Sequence, residues 1–512
     1  MNWFDKSRFT GHTPYYGCIA LFYIVLTLCS LHIPFFWDNV YLVSKMAHYY
    51  YENSFPSVVL PLQLDSGHPP FYAIYIAAMW TFFGKTLAVS HWAVFPFLVG
   101  LGIAYYHLAR YFLPSKALPY ALLLLFAEPT LLAQSVLGGV DIALVCLYLL
   151  ALNGIFYRKP WLLSLALCGM AAFSLRGIIA VGLLGMTDFL ARMVDSKEWE
   201  EARKRNLGEK TIWIEVFILH LISVVRQIIL AYLPAMVLVV GWLVYHYQVN
   251  GFLTSNPDSP WANGYGYVDF NGWRRNLMFT AWRLLDYGRV ILWFFAAILL
   301  LQYWQKRKTP TLKTDAFPSN FNSLFIFTIL PLILYLPFLT LRQTHILHRY
   351  FIPTFLLVSV LFSAVLFVIQ SKKLRNLIFI AAVLSLLSGH FWIYPERFPA
   401  GSDASLLFLP YFELSDQMTA YIEAQQIPFE EIGTEFPAVR PRKFTRLNND
   451  RRQFADRDSR SQLTDFKYIL ESNIMNDFDI KYLEILRKEG GDWQLKQEYR
   501  KGQVYIRLYE RY

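Results

Sequence analysis

The chain reads as a polytopic α-helical membrane protein with a small soluble α/β unit at its C-terminal end. Three observations predict this. Of its 512 residues, 55% are hydrophobic and only 16% charged, whereas a soluble domain carries about 25% charge. The apolar residues come in blocks, several approaching the ~20 residues needed to cross a bilayer. From about residue 395 onward the composition turns charged and polar.

Spans fall at about residues 14–34, 91–112, 117–133, 141–157, 161–175, 178–192, 228–247, 284–303, 323–340, 351–370 and 376–393, about eleven in all. No small-residue cleavage site follows the first, so it is expected to remain as an anchor. A cytoplasmic N-terminus puts Lys6, Arg8, Arg110, Lys116, Arg158 and Lys159 inside, together with the connectors "SKEWEEARKRNLGEK", "QKRKTPTLK" and "SKKLRN". Every strongly basic connector then lies on one side, as the positive-inside rule requires. The same bias accounts for the net charge of +10. No basic patch with interleaved aromatics stands in a soluble segment, so nucleic acid is not an expected partner. The expected location is the inner (plasma) membrane, with residues 38–90 and the tail on the outer, periplasmic side.

Residues 1–394 therefore form an expected transmembrane domain and residues 395–512 a soluble one. Within the outer loop 38–90, "VYLVSKMAHYYYENSF" suits an interfacial amphipathic helix, which Pro56, Pro61, Pro69 and Pro70 then break up. In the tail, "FELSDQMTAYIEAQQ" has helical periodicity, whereas "DFKYILES" and "QVYIRLYE" alternate as strands do. Cys18, Cys29, Cys146 and Cys168 all lie in apolar spans, with neither zinc spacing nor a disulfide framework, and read as small buried hydrophobes.

A charge at membrane depth costs about 2.5–3.5 kcal/mol even on the lenient insertion scale, so each ionisable group there asks for a role. Asp38 follows the first span in "IPFFWDNVY"; alone, it would be a solvated helix end. Asp141 opens the fourth in "VLGGVDIAL", where an acid simply complements the helix dipole. Arg176 interrupts "CGMAAFSLRGIIAVGLLG", and Arg176-Gly177 is expected as the outer turn of a tight hairpin, with snorkelling as the plain alternative. Arg283 and Asp286, three apart, suit a structural pair. In "THILHRYFIP", His345, His348 and Arg349 share one face if the segment is helical. Two histidines without a nearby carboxylate make a poor metal site, whereas the fork of Arg349 suits a phosphate. Asp65, His68, Pro69 and Pro70 stand together in "LDSGHPPFY", where the prolines would turn the loop back over the membrane and carry Asp65 and His68 towards Asp38. Carboxylates that can take a hydroxyl proton, beside cations that can hold a departing phosphate, fit chemistry on a lipid-linked phosphate.

The order of these features resembles the GT-C superfamily of integral-membrane glycosyltransferases, closest to the branch of the protein O-mannosyltransferases and lipid A aminoarabinose transferases. "FFWDN" occupies the place of that branch's acidic motif after the first span. "LDSGHPPFY" is similar to its D-x-HPPL-like loop, and Pro96, Asp141 and Arg176-Gly177 match later features. "HRYFIP" is similar to its RY-x-x-P element. The likeness covers roughly the first 395 residues. It implies an inverting transfer from a polyprenyl-phosphate sugar to a hydroxyl on protein, lipid A or an envelope glycan. Asp38 would be the general base, Arg349, Arg176 and Tyr350 would hold the donor phosphate, and His68, Asp65, Asp141 and His348 would shape the substrate site. No cofactor is implied, and a divalent metal has no support in the sequence. Asn39 stands where the family commonly has a second acid, "DSGH" is one residue longer than D-x-H, and "SHWAVFPF" lacks an arginine before its proline. Phosphate contacts then fall to His91 or to the later arginines.

The main alternative is a membrane transporter or flippase, which calls for inverted repeats and charges near mid-span; the sequence has neither. A non-catalytic assembly factor would not need Asp38. A ligase or polymerase of lipid-linked glycans would share the donor class.

Overall fold

The computed structural model describes residues 12–194, 210–254, 256, 262–307, 321–343, 345–394, 403–436, 438–457, 462–474, 480–488 and 490–512. Lys6, Arg8 and most of the connectors at 196–210 and 305–313, which carried the orientation argument, lie outside the described residues.

Among the described residues, seven helices are long and apolar enough to cross a membrane: Thr13–Ser30, Leu87–Phe112, Leu175–Val194, His220–Asn250, Phe321–Thr340, His348–Leu366 and Lys372–Phe391. The pair Ser115–Ala127 and Pro129–Leu137 is long and apolar enough only when taken together, and it is bent by 57°. The bend falls at Glu128-Pro129, where the Glu128 carboxylate caps the second half by accepting from the Leu131 amide. Proline at the first helical position has no amide proton to lose, so the chain restarts there. The expected spans near 141–157 and 161–175 are shorter helices, Val140–Phe156 and Pro160–Phe173. At 1.5 Å per residue neither reaches the ~30 Å of a hydrocarbon core. The span expected from residue 284 begins only at Val290, because Tyr287 and Gly288 take φ values of 50° and 83°. A β-carbon on Gly288 would stand 1.8 Å from the Ser385 carbonyl oxygen, so only glycine fits that turn.

The main core packs Leu87–Phe112 (α4) and Val140–Phe156 (α7) against Thr13–Ser30 (α1), Pro160–Phe173 (α8) and Ile352–Leu366 (α14). Cys146 is buried there, but Cys18 and Cys29 lie exposed on the outer face of α1. An apolar face meeting lipid needs no protein cover, which is where the expectation of burial fails. The segment after Asp38 is no free interfacial helix. A π-helical turn, Val40–Lys45, runs into Met46–Glu52 (α2) and packs on Phe71–Phe83 (α3) through Val43, Tyr50, Ile76 and Trp80.

The tail forms a five-stranded sheet in the order β2-β1-β3-β5-β4, with Ile432–Thr434 as β1, Ala455–Asp456 as β2, Tyr468–Ser472 as β3, Trp493–Lys501 as β4 and Val504–Arg511 as β5. Strands β1, β2 and β3 pair parallel, whereas β5 runs antiparallel to β3 and β4. Helix Leu409–Ala424 (α16) covers the sheet, and its core is shared: Phe408, Tyr411 and Leu414 join Phe36, Ala133, Val136 and Leu137 from the helical part. That shared core brings the start of the tail to the end of the bundle where Asp38 lies.

Candidate active site

Four residues picked from the sequence meet at this end. Asp38 stands just past α1. Asp141 is in the first turn of α7. Arg176 is the second residue of Leu175–Val194 (α9), and Arg349 lies in a short 3-10 turn, His348–Phe351, that leads into α14. Arg349 donates to the carboxylates of Asp38 and Asp403, and its Nε lies 3.8 Å from Asp141. Arg176 donates to the other oxygen of Asp141 and lies 5.0 Å from the Tyr350 ring centroid, a cation–π contact. Three carboxylates therefore share two guanidiniums.

The turn before Arg176 is made by Ser174, not by Arg176-Gly177. Ser174 is extended between the two helices, and its hydroxyl accepts from the Arg176 amide at 3.3 Å. Gly177 has a different task. A β-carbon there would stand 1.9 Å from the Met170 carbonyl oxygen, so glycine lets α8 and α9 close tightly and brings Arg176 to Asp141.

The cluster lies at the head of a pocket with about 760 Å³ of empty space, part of it open to the surroundings. Asp141, Arg176, Arg349 and Tyr350 line its polar end; Leu144, Val145, Met170, Leu183, Leu332 and Tyr335 are among its mostly apolar walls. Asp38 and Arg176 are each 19% exposed at the side chain, against 1–6% for Arg349, Asp141 and Asp403. Of these two more accessible members, Arg176 lines the pocket, whereas Asp38 pairs with Arg349 and does not. Among the described residues no group of three or more His, Cys, Asp or Glu is arranged to hold a metal ion.

The other expected site residues divide. His68 Nδ1 is 3.2 Å from the Ser174 hydroxyl, at the margin of the Arg176–Asp141 pair. Burial, and then the charge of Arg176, pull its pKa down to about 4. Asp65 turns away towards His246, at 2.5 Å, and Asn250. The extra residue in "DSGH" closes a small turn, Gly67 donating to Asp65 at 2.7 Å with φ of 85°. His348 is fully buried, meets Asp286 at 2.6 Å and does not line the pocket. His345 is exposed in chain without regular structure, so it shares no helical face with His348 and Arg349. His91 is tied to the Ile33 carbonyl at 2.9 Å and does not line the pocket. Asn39 is buried against Gly139, where a β-carbon would meet its Oδ1 at 2.4 Å; the space of a second acid is used for packing.

No protein-family model matches the chain, and no curated protein does. Two solved structures align with it, both of ArnT from Cupriavidus metallidurans. The apo state covers 98% of each chain at 14% identity with a TM-score of 0.34. The form bound to undecaprenyl phosphate covers 98% of each at 13% identity with the same score. At that score the likeness decides nothing about chemistry.

Sequence reasoning missed Asp403 and a second cluster. Asp403 is 1% exposed and is held in place by Gln134, whose amide donates to its carbonyl at 3.0 Å and its carboxylate at 3.1 Å. In the second cluster, Arg289 donates to Glu128 at 2.8 Å, to Thr130 and to the Asp286 carbonyl at 3.1 Å. Asp286 caps the helix Phe270–Leu285 and also takes the hydroxyl of Tyr394. Its distance to Arg283 is 3.7 Å, so the expected pair is one weak edge of a larger network.

Proposed function

We propose that this protein is a membrane glycosyltransferase that moves a sugar from a polyprenyl-phosphate donor to a hydroxyl on the outer face, with inversion. The observation that carries the reading is the pocket itself: mostly apolar walls that end at two arginines, one of which is paired with the carboxylate of Asp38. A prenyl tail along Leu144, Met170 and Leu332 would leave its phosphate at Arg349, Arg176 and Tyr350. Apolar walls with a few convergent polar groups at one end are what such a ligand needs.

Arg349 is engaged by Asp38 and Asp403. A phosphate arriving at Arg349 competes with Asp38, the more exposed of the two, and frees that carboxylate to face the acceptor. The acceptor oxygen then attacks the anomeric carbon while Asp38 takes its proton. The bond from that carbon to the phosphate oxygen breaks, and its electron pair stays with the phosphate. The donor phosphodiester carries one negative charge and the released phosphomonoester two, so Arg349 and Arg176 meet the charge as it develops. Asp141 aims Arg176, and His68 borders the space left for sugar or acceptor. Asp65 and His348 hold the loop and the 3-10 turn. The reading places this chemistry on the periplasmic side of the inner membrane, with the N-terminus in the cytoplasm.

The test is donor turnover. Full-length protein and Asp38→Asn are incubated with a panel of polyprenyl-phosphate sugars and membrane extract as acceptor, following free polyprenyl phosphate. Removing a general base should slow release by on the order of 10²–10⁴-fold. Equal release from both proteins removes Asp38 as the base, and no release with any donor rejects the reading.

A further inference from the structure

A second pocket, of about 550 Å³ of empty space, lies between the segment before Asp38 and the tail. Phe35, Phe36 and Phe412 contribute to an aromatic floor; Arg440, Arg442 and Arg446 line it as well. The three arginines belong to "VRPRKFTR", in which Arg442 and Arg446 bound the short helix Arg442–Arg446 (α17) and Arg440 precedes it. This helix is fastened to the Asp38 segment: the Phe35 amide donates to the Thr445 carbonyl at 2.9 Å and Ser44 to the Phe444 carbonyl at 2.6 Å. The pocket and Asp38 therefore share one stretch of backbone.

Its arginines are not equally satisfied. Arg446 pairs with Asp416, whose side chain is half exposed, and Arg442 lies 3.3 Å from Asp450. Arg440 has no ion pair or hydrogen bond among the described residues; its guanidinium stacks 3.8 Å from the Tyr41 ring centroid, and its Nε is buried without a partner. A guanidinium with a buried, unused donor costs free energy that a matching acceptor would recover. Burial pulls its pKa down to about 10, against a smaller opposing pull from the Asp456 carboxylate. Nothing in the first pocket's chemistry uses this group.

We propose that this pocket is an oxyanion site, in which Arg440, backed by Arg442 and Arg446, holds a carboxylate or phosphate borne by the acceptor. The role as acceptor site rests on the reading of Asp38 as the base, since the pocket opens beside residues 34–36, which lead directly into Asp38. Planar guanidinium forks grip either oxyanion through paired donors, and the aromatic floor accommodates the apolar part of the same ligand. The enzyme would then select acceptors by charge at a distance from the reacting hydroxyl.

The test uses full-length protein in detergent, with inorganic phosphate as probe and ³¹P line broadening as readout. Wild-type protein is expected to show a binding component that Arg440→Gln weakens about tenfold and Arg440→Lys weakens less, as the loss of a charge-assisted fork implies. That component should persist in Arg349→Lys, since Arg349 lines the first pocket and not the second. Arg446→Gln, whose side chain meets solvent, serves as a second probe should Arg440→Gln fail to fold; it too should weaken the component. Phosphate binding that is the same in wild type and in both glutamine variants overturns the proposal. Repeating the titration in nanodiscs sorts the source. Suppression by phosphatidylglycerol but not phosphatidylcholine supports a lipid-borne oxyanion in the site, and no suppression supports a soluble one. Absence of the component from wild-type protein alongside normal donor turnover removes this site alone. An intact component without donor turnover removes the glycosyl-transfer reading and leaves the oxyanion site standing.

Discussion

Arg349 and Arg289 centre two ion clusters joined through the peptide bond between His348 and Arg349, and the two are built differently. Around Arg289, Glu128 and Asp286 face Arg283 and Arg289, two acids for two arginines, and those side chains are at most 4% exposed. Around Arg349, three carboxylates face two arginines, and Asp38 and Arg176 are 19% exposed. Matched charges with every member enclosed make a fastening. A surplus acid, with two members partly exposed and one of them lining a pocket, makes a place where a ligand can change partners. The comparison separates stability from chemistry more sharply than burial alone, because Arg349 itself is as buried as Arg289.

The largest expected effect falls on the enclosed cluster. Arg289→Met leaves Glu128 and Asp286 buried without their main cation, and removing one partner of a buried pair costs about 3–5 kcal/mol. The variant should show a large drop in thermal midpoint in detergent, whereas Asp38→Asn, in the more open cluster, should unfold close to wild type. Equal losses in the two variants would break the distinction.

Arg349→Lys sharpens it from the other side. Lysine keeps the charge among Asp38, Asp141 and Asp403 but loses the planar fork that reaches two carboxylates at once. Stability should change less than in Arg289→Met, while polyprenyl-phosphate release should fall by on the order of 10²-fold, the cost of losing one preorganised donor to a developing anion. A lysine variant that unfolds early yet turns over normally per folded molecule would assign Arg349 to structure.

Much of the open cluster was legible in the sequence because its members break apolar blocks: Asp38, Asp141, Arg176 and Arg349 each stand where a charge is costly. Asp403 was not, since in "PAGSDASLLF" an acid among small polar residues reads as a linker. Its position depends on Gln134, 269 residues away in sequence. Glu128 was hidden inside a run taken as one span, although Glu-Pro ahead of "TLLAQ" is a helix-start signal that marks the bend. The helix at 409–424 and the strands at 468–472 and 504–511 followed from periodicity. The parallel pairing of β1 with β2 and β3 did not, because two- and three-residue strands carry too little alternation to read. Asp65 shows the limit most clearly. Its neighbours in sequence suggested Asp38 as its goal, and the deciding partner was His246 on a distant helix.

The smallest effect concerns histidine. His348 in the enclosed cluster has Asp286 as a partner, whereas His68 beside the open cluster has, among the described residues, only the Ser174 hydroxyl as a hydrogen-bond partner. Burial and Arg176 hold the folded pKa of His68 at about 4, below the ordinary 6.5. Between those two values the unfolded chain binds a proton there and the folded chain does not, so stability falls as pH drops through 6.5 and levels off below 4. His48, also pulled down to about 4 by burial, adds a drop of the same sign. The informative quantity is therefore a difference: wild-type protein should lose more thermal stability between pH 7 and pH 5 than His68→Asn does. An identical pH slope in the two would mean that His68 is protonated in the folded state. A proton there would place a third cation beside Asp141, and the two clusters would then differ in exposure alone.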